Sequence, residues 1–258
     1  AAYGVYLRTR DNDHGFLAAV LASTGWVVFT LSGLLSVLEG HPLFYSSTER
    51  VLFFFWIAFT VFLVATPRWS LQLAGAVVLP FVTSGIIWAL LQPSGPTTLE
   101  PLRSAPWMSA PWMALHMTLV FTGYSSFMMA GVAAGLYLFQ ERELKAKRLA
   151  FMRFEVPSLS RLDTLSRRLI AIGFPLLTLG IAAGGMVAKE YLGTFWFVDA
   201  KVIGSLAVWA FYGIYLLVRF VNGWQGRRLA IWSLVGFLAV LFNFFGLSWL
   251  APGFHRFG

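Results

Sequence analysis

Seven times along this chain, about twenty residues pass between charged, proline or glycine breaks with scarcely a charge inside them. The runs cover residues 16–37, 48–66, 71–91, 111–139, 168–188, 202–221 and 229–250. A hydrocarbon core of ~30 Å takes about 20 helical residues, and an α-helix satisfies every backbone polar group within one segment. The expected fold is therefore an all-α polytopic membrane protein. Its composition agrees, with 58% hydrophobic and 12% charged residues and a mean hydropathy of +0.73. The opening AAYGVYL is apolar but short, and reads as the end of a further span. That makes a bundle of about eight transmembrane helices, the first one clipped, with residues 1–258 forming a single domain. No basic n-region precedes a cleavage site, which argues against a signal peptide.

Charge placement gives the expected orientation. Arg8, Arg10, Arg68, Arg142, Lys145, Lys147, Arg148, Arg153, Arg161, Arg167, Arg168, Arg219, Arg227 and Arg228 fall in alternate loops. Only Arg50, Arg103, Lys189, Lys201 and Arg256 fall in the others. By the positive-inside rule the first set is cytoplasmic. The net charge of +8 is then a topology signal, and no nucleic-acid partner is needed to explain it. Loops 38–47, 92–110 and 189–201 and the tail APGFHRFG are expected outside, in an inner or plasma membrane of bacterial or organellar type.

The basic loop 140–167 carries Glu141/Lys145 and Glu143/Lys147 at i,i+4, which should extend the preceding helix into water. Leu159, Leu162 and Leu165 in PSLSRLDTLSRRL suggest a short helix on the inner leaflet. GVAAG (Gly131, Gly135) and GIAAG (Gly180, Gly184) are small-xxx-small faces for close helix packing. Pro80 and Pro175 are expected to kink their spans.

With no Cys, disulfides, thiolate metal sites and Fe–S clusters are excluded. No Walker loop, HExxH or GxSxG occurs. Among four His, His41, His116 and His255 fall at the external face and His14 in an inner loop. His116 lies five residues past Pro111, ~8 Å along the helix axis, where a polar ring wants a partner. Two histidines converging beside the aromatic loop GTFWFVDAK could ligate a haem iron. Phe195, Trp196 and Phe197 would give walls, and Lys201, Arg256 or Arg103 would meet propionates. Asp199 would orient a ligand histidine. The same aromatics also suit an interfacial belt, and the residues alone leave both readings open.

Larger pieces of the chain resemble one family. PSLSRLDTLSRRLIAIGFPLLTLGIAAG looks like the entry to the helix before the tryptophan-rich WWD loop of the CcsA-type cytochrome c assembly (haem-handling) superfamily, which includes HemX-type members. LHMTLVFTGYSSFMMAGVAAGLYLFQERELK resembles its histidine-bearing helix. GWQGRRLAIWSLVGFLAVLFNFFG with GFHRFG is similar to its last span and tail. GHPLFYSSTERVLFFFW echoes an N-terminal motif through Gly40, His41, Glu49, Leu52, Phe53 and Trp56.

The resemblance implies that His116 and His255 are the two external ligands of haem b. Gly193, Trp196, Asp199 and Lys201 keep the loop pattern. Leu192 and Val198 replace tryptophans, Ala200 a Pro and Val202 a Glu. Leu217 stands where an intramembrane His is common, and Phe29 loosely where another is sometimes found. Those losses put an inner haem site in doubt. The implied function is membrane haem handling in cytochrome c assembly, at most as a lyase-like attachment component, since no nucleophile or acid–base pair is evident. A CcsB-like partner and apocytochrome c are implied with it. The alternatives are a HemX-type regulator acting on a cytosolic haem-synthesis enzyme, and a bis-His b-type haem or structural subunit of a larger complex.

Overall fold

The computed structural model describes residues 12–39, 47–69, 72–91, 111–147, 157–193 and 199–247. Among the described residues seven helices are long and apolar enough to cross a membrane, and they match the seven expected spans. In chain order they are α1 (Asn12–Leu38), α2 (Ser47–Trp69), α3 (Gln72–Leu91), α4 (Pro111–Lys145), α5 (Leu159–Leu192), α6 (Ala200–Val221) and α7 (Arg227–Leu241). A π-helical turn, Phe242–Gly246, prolongs α7. The clipped span expected in AAYGVYL lies outside the described residues.

Local chemistry explains most of the helix ends. Pro111 opens α4, where a missing N–H costs nothing, and Arg142 and Lys145 sit in its last turn against the negative end of the helix dipole. Lys145 also pairs with Glu141 at 2.7 Å, as the i,i+4 spacing predicts. The Ser158 hydroxyl accepts the Arg161 N–H at the start of α5. Pro80 and Pro175 lie inside continuous α3 and α5.

One expectation fails here. Leu159, Leu162 and Leu165 form no separate helix on the leaflet; they are the first turns of α5 itself. Leu162 and Leu165 are buried in the core. Helical periodicity defined an apolar face correctly, but that face is buried within the bundle, where α5 packs against α4, α6 and α7.

The centre of the bundle is α4, whose apolar window is 72% buried against 6% for α1. Its largest interface is with α5, and the next is with α7. The α4–α5 line is built on small residues: a Cβ on Gly123 would meet the Gly173 carbonyl at 3.1 Å. Of the GVAAG pair, Gly131 takes the side chain of Phe237, whereas Gly135 faces open space. Phe54, Phe121 and Phe244 join α2, α4 and the π-turn, with Phe54 and Phe244 stacked at 4.2 Å.

Helix α1 is attached through a reciprocal clasp. Trp26 Nε1 donates to Thr60 Oγ1 and Trp56 Nε1 to Thr30 Oγ1, each at 2.8 Å. The two indoles stack, 6.1 Å apart. Each threonine in turn donates to the carbonyl of the tryptophan four residues before it.

At the opposite end from His116, the start of α5 is tied to the end of α6. Arg219 pairs with Asp163 at 2.7 and 3.3 Å and donates to the Trp224 carbonyl at 2.9 Å. Asp163 also accepts the Gly226 N–H, 3.2 Å away. Side-chain exposure is only 9% for Arg219 and 15% for Asp163, so removing one partner strands a nearly buried charge. Asp163→Ala should destabilise the protein by about 3 kcal/mol, measured by denaturant unfolding in detergent micelles, and Arg219→Leu together with Asp163→Leu should recover part of that loss.

Candidate functional site

At one end of the bundle α4 and α6 begin and α5 and α7 finish. His116 stands in the second turn of α4, half-buried. Its Nδ1 lies 2.7 Å from the carbonyl oxygen of Gly180 on α5. A carbonyl can only accept, so Nδ1 carries the ring proton. The imidazole fits because α5 offers no side chain there: a Cβ on Gly184 would stand 2.7 Å from Nδ1 and 2.8 Å from Cε1. The GIAAG face therefore packs closely, as expected, and what it admits is the histidine together with Val120, which abuts Gly180. Met113 and Val187, with Met117 and Phe53 packed against them, form a small apolar cluster at this end of the bundle.

Gly193 and Asp199 have backbone roles at the same end. Gly193 ends α5 at φ 72°, a left-handed conformation that a Cβ would strain. Asp199 is extended and caps α6, its carboxylate accepting the Lys201 N–H at 2.7 Å. The Gly180 carbonyl thus orients His116, and Asp199 caps the start of α6. Lys201 extends its ammonium over the Phe244 ring, 5.3 Å from the centroid, a cation–π contact. Arg50 opens α2 beside Glu49.

Beneath this end lies a polar group that the apolar periodicity did not reveal. Asn243, in the π-turn, donates to Tyr124 Oη at 2.7 Å and to Ser205 Oγ at 3.1 Å. Tyr124 is hydrogen-bonded to Ser205 at 2.9 Å, and Ser205 donates to the Lys201 carbonyl at 2.8 Å. All of this joins α4, α6 and the end of α7. Gly204 makes room for it, since a Cβ there would collide with Asn243 Oδ1. π-turns are rare and often mark functional regions. The available signal was Asn243 itself, a lone amide in an apolar run, which within a membrane requires a partner.

Four predicted site residues, His116, Gly193, Asp199 and Lys201, are therefore brought to one end of the bundle. His255 and Trp196 lie outside the described residues, as do His41, Phe195, Phe197, Arg103 and Arg256. Leu217, at the position where the resemblance expects an intramembrane histidine, is 61% exposed on the outer surface of α6. Tyr215, two residues away, is buried. In this chain position 217 does not face the interior.

The fold and this end together define an integral membrane helical bundle with a carbonyl-oriented histidine at one end. More particularly, the chain belongs to the cytochrome c assembly protein family, whose sequence profile matches residues 45–255. The protein HemX of Bacillus subtilis is 30% identical over 259 residues, covering 99% of this chain and 91% of that protein. The cytochrome c biogenesis protein CcsA of Guillardia theta is 31% identical over 231 residues, 81% of this chain and 74% of its own length. CcsA of Chlamydomonas reinhardtii is 28% identical over 230 residues, 85% of this chain. The matched region spans only 62% of that longer protein. The resemblance read from the sequence is borne out, for both the CcsA type and its HemX-like members.

Asn243→Ala removes the amide that satisfies Tyr124 and Ser205. It should cost about 1–2 kcal/mol in detergent unfolding, and Gly204→Val should cost more because its side chain overlaps Asn243.

Proposed function

We propose that this protein handles haem for cytochrome c assembly, holding haem b at the external face between His116 and His255. The observation that carries the reading is the seating of His116. With Nδ1–H bonded to a backbone carbonyl, the ring lone pair sits on Nε2, the state in which a histidine binds metal. The surroundings suit a porphyrin, with an apolar cluster of Met113, Val187, Met117 and Phe53 at this end of the bundle and Lys201 there to meet a propionate.

In this reading the distribution of basic residues puts the His116 end and the C-terminus outside. Trp196 would wall the haem from the loop, and Gly193 and Asp199 would fix the two ends of that loop. Bound haem supplies the iron and the reactive vinyl edge; the protein's part is to orient it and exclude water. Apocytochrome c would bring the accepting thiols, and a CcsB-like protein is the implied partner.

A second reading, a HemX-type regulator of haem synthesis, is favoured by the match to Protein HemX over 99% of this chain and by the outward-facing Leu217. It would use the basic end, including loop 140–167, to engage a cytosolic enzyme. Pull-down separates the two: apocytochrome c supports the first, a tetrapyrrole-synthesis enzyme the second.

The decisive measurement is the absorption spectrum of purified protein supplied with haem. A low-spin bis-His spectrum is expected, lost in His116→Ala and in His255→Ala. A colourless wild type, or variants with the wild-type spectrum, would overturn the proposal.

A further inference from the structure

The two glycines beside His116 do more than let two helices meet. A helical carbonyl has a second lone pair, and Gly180 offers it to Nδ1 at 2.7 Å. The ring can reach that carbonyl only because position 184 lacks a side chain, since a Cβ there would fall 2.7 Å from the donor nitrogen. Val120, one turn further along α4, locks the same register against Gly180. Backbone in a helix cannot swing away as a carboxylate side chain can, so this acceptor is fixed in place.

We infer that Gly180 and Gly184 form a positioning seat that holds His116 as the Nδ1–H tautomer, makes Nε2 its iron-binding atom and strengthens its donation to iron. The inference rests on the haem-binding reading above. A hydrogen bond from the distal ring N–H raises the basicity of the ligating nitrogen. Stronger donation favours ferric over ferrous iron, so the seat lowers the reduction potential of the bound haem. Gly184 acts through His116 and is a positioning residue.

The experiment uses the full chain in detergent. In the haem-free protein, 15N-histidine NMR should report His116 as the Nδ1–H tautomer. With haem added, Gly184→Ala should bind about 10- to 100-fold more weakly, show partial loss of the low-spin spectrum and have a raised reduction potential. Gly135→Ala, which adds the same methyl group into open space, should match the wild type in all three. A histidine analogue at position 116 keeps the test valid if Gly184→Ala fails to fold. Nδ1-methylhistidine, whose methyl group would fall on the Gly180 carbonyl, should weaken ligation and raise the potential, and Nε2-methylhistidine should abolish ligation.

An Nε2–H tautomer, or Nδ1-methylation that destroys ligation while Nε2-methylation spares it, overturns the inference. So does a His116-dependent haem spectrum and potential that neither Gly184→Ala nor Nδ1-methylation changes. A wild type that takes up no haem overturns the proposed function, and the inference falls with it.

Discussion

Within a bilayer, lipid tails are as apolar as leucine, so helices gain little from hiding apolar side chains from one another. What holds them is the closeness of their fit, and in this protein the closest fit runs between α4 and α5. Gly123 and Gly173 bring the two backbones together in mid-bundle, and Gly180 and Gly184 continue the line towards one end. The most buried helix of the fold is thereby placed. Helix α7 and the aromatic group of Phe54, Phe121 and Phe244 pack onto α4 once it is there. The same line supplies the acceptor for His116, so architecture and candidate site share one set of small residues.

Polar groups are placed unevenly along the bundle, and each position has a physical reason. At the basic end one carboxylate, Asp163, gathers Arg219 and the Gly226 N–H, joining the start of α5 to the turn between α6 and α7. Towards the other end, Tyr124, Ser205 and the Asn243 amide N–H groups are hydrogen-bonded to one another across three helices. Between these levels the interior is nearly all aliphatic and aromatic, with Tyr212 stacked on Phe127 at 3.8 Å. Directional contacts thus tie the helices near the two ends of the bundle, and at mid-span they recur in the Trp–Thr clasp of α1 and α2.

The spans were legible because burial in lipid demands long uncharged helices, and little else in a sequence imitates that pattern. His116 was legible for a related reason: a polar ring inside a span is conspicuous. Its acceptor was not, because GIAAG advertises a close approach without saying what approaches. Leu162 and Leu165 were misplaced on a leaflet surface, since periodicity marks a face but not its neighbour. The Asp163–Arg219 pair and the Asn243 group escaped for the same cause. Their partners lie 56 and 119 residues away in sequence, and no local pattern encodes contacts at that range.

Sequence separation also bears on the Trp–Thr clasp of α1 and α2. Its two cross-helix hydrogen bonds span only 34 and 26 residues, and both partners belong to the first two described spans. A short loop closes at lower entropic cost than a long one, and a membrane chain is delivered in order from its N-terminus. The α1–α2 hairpin therefore holds both halves of its clasp before the helices that follow it are made. Helix α1, so lightly held in the finished bundle, can thus pair with α2 before α4 and α5 follow it out of the ribosome.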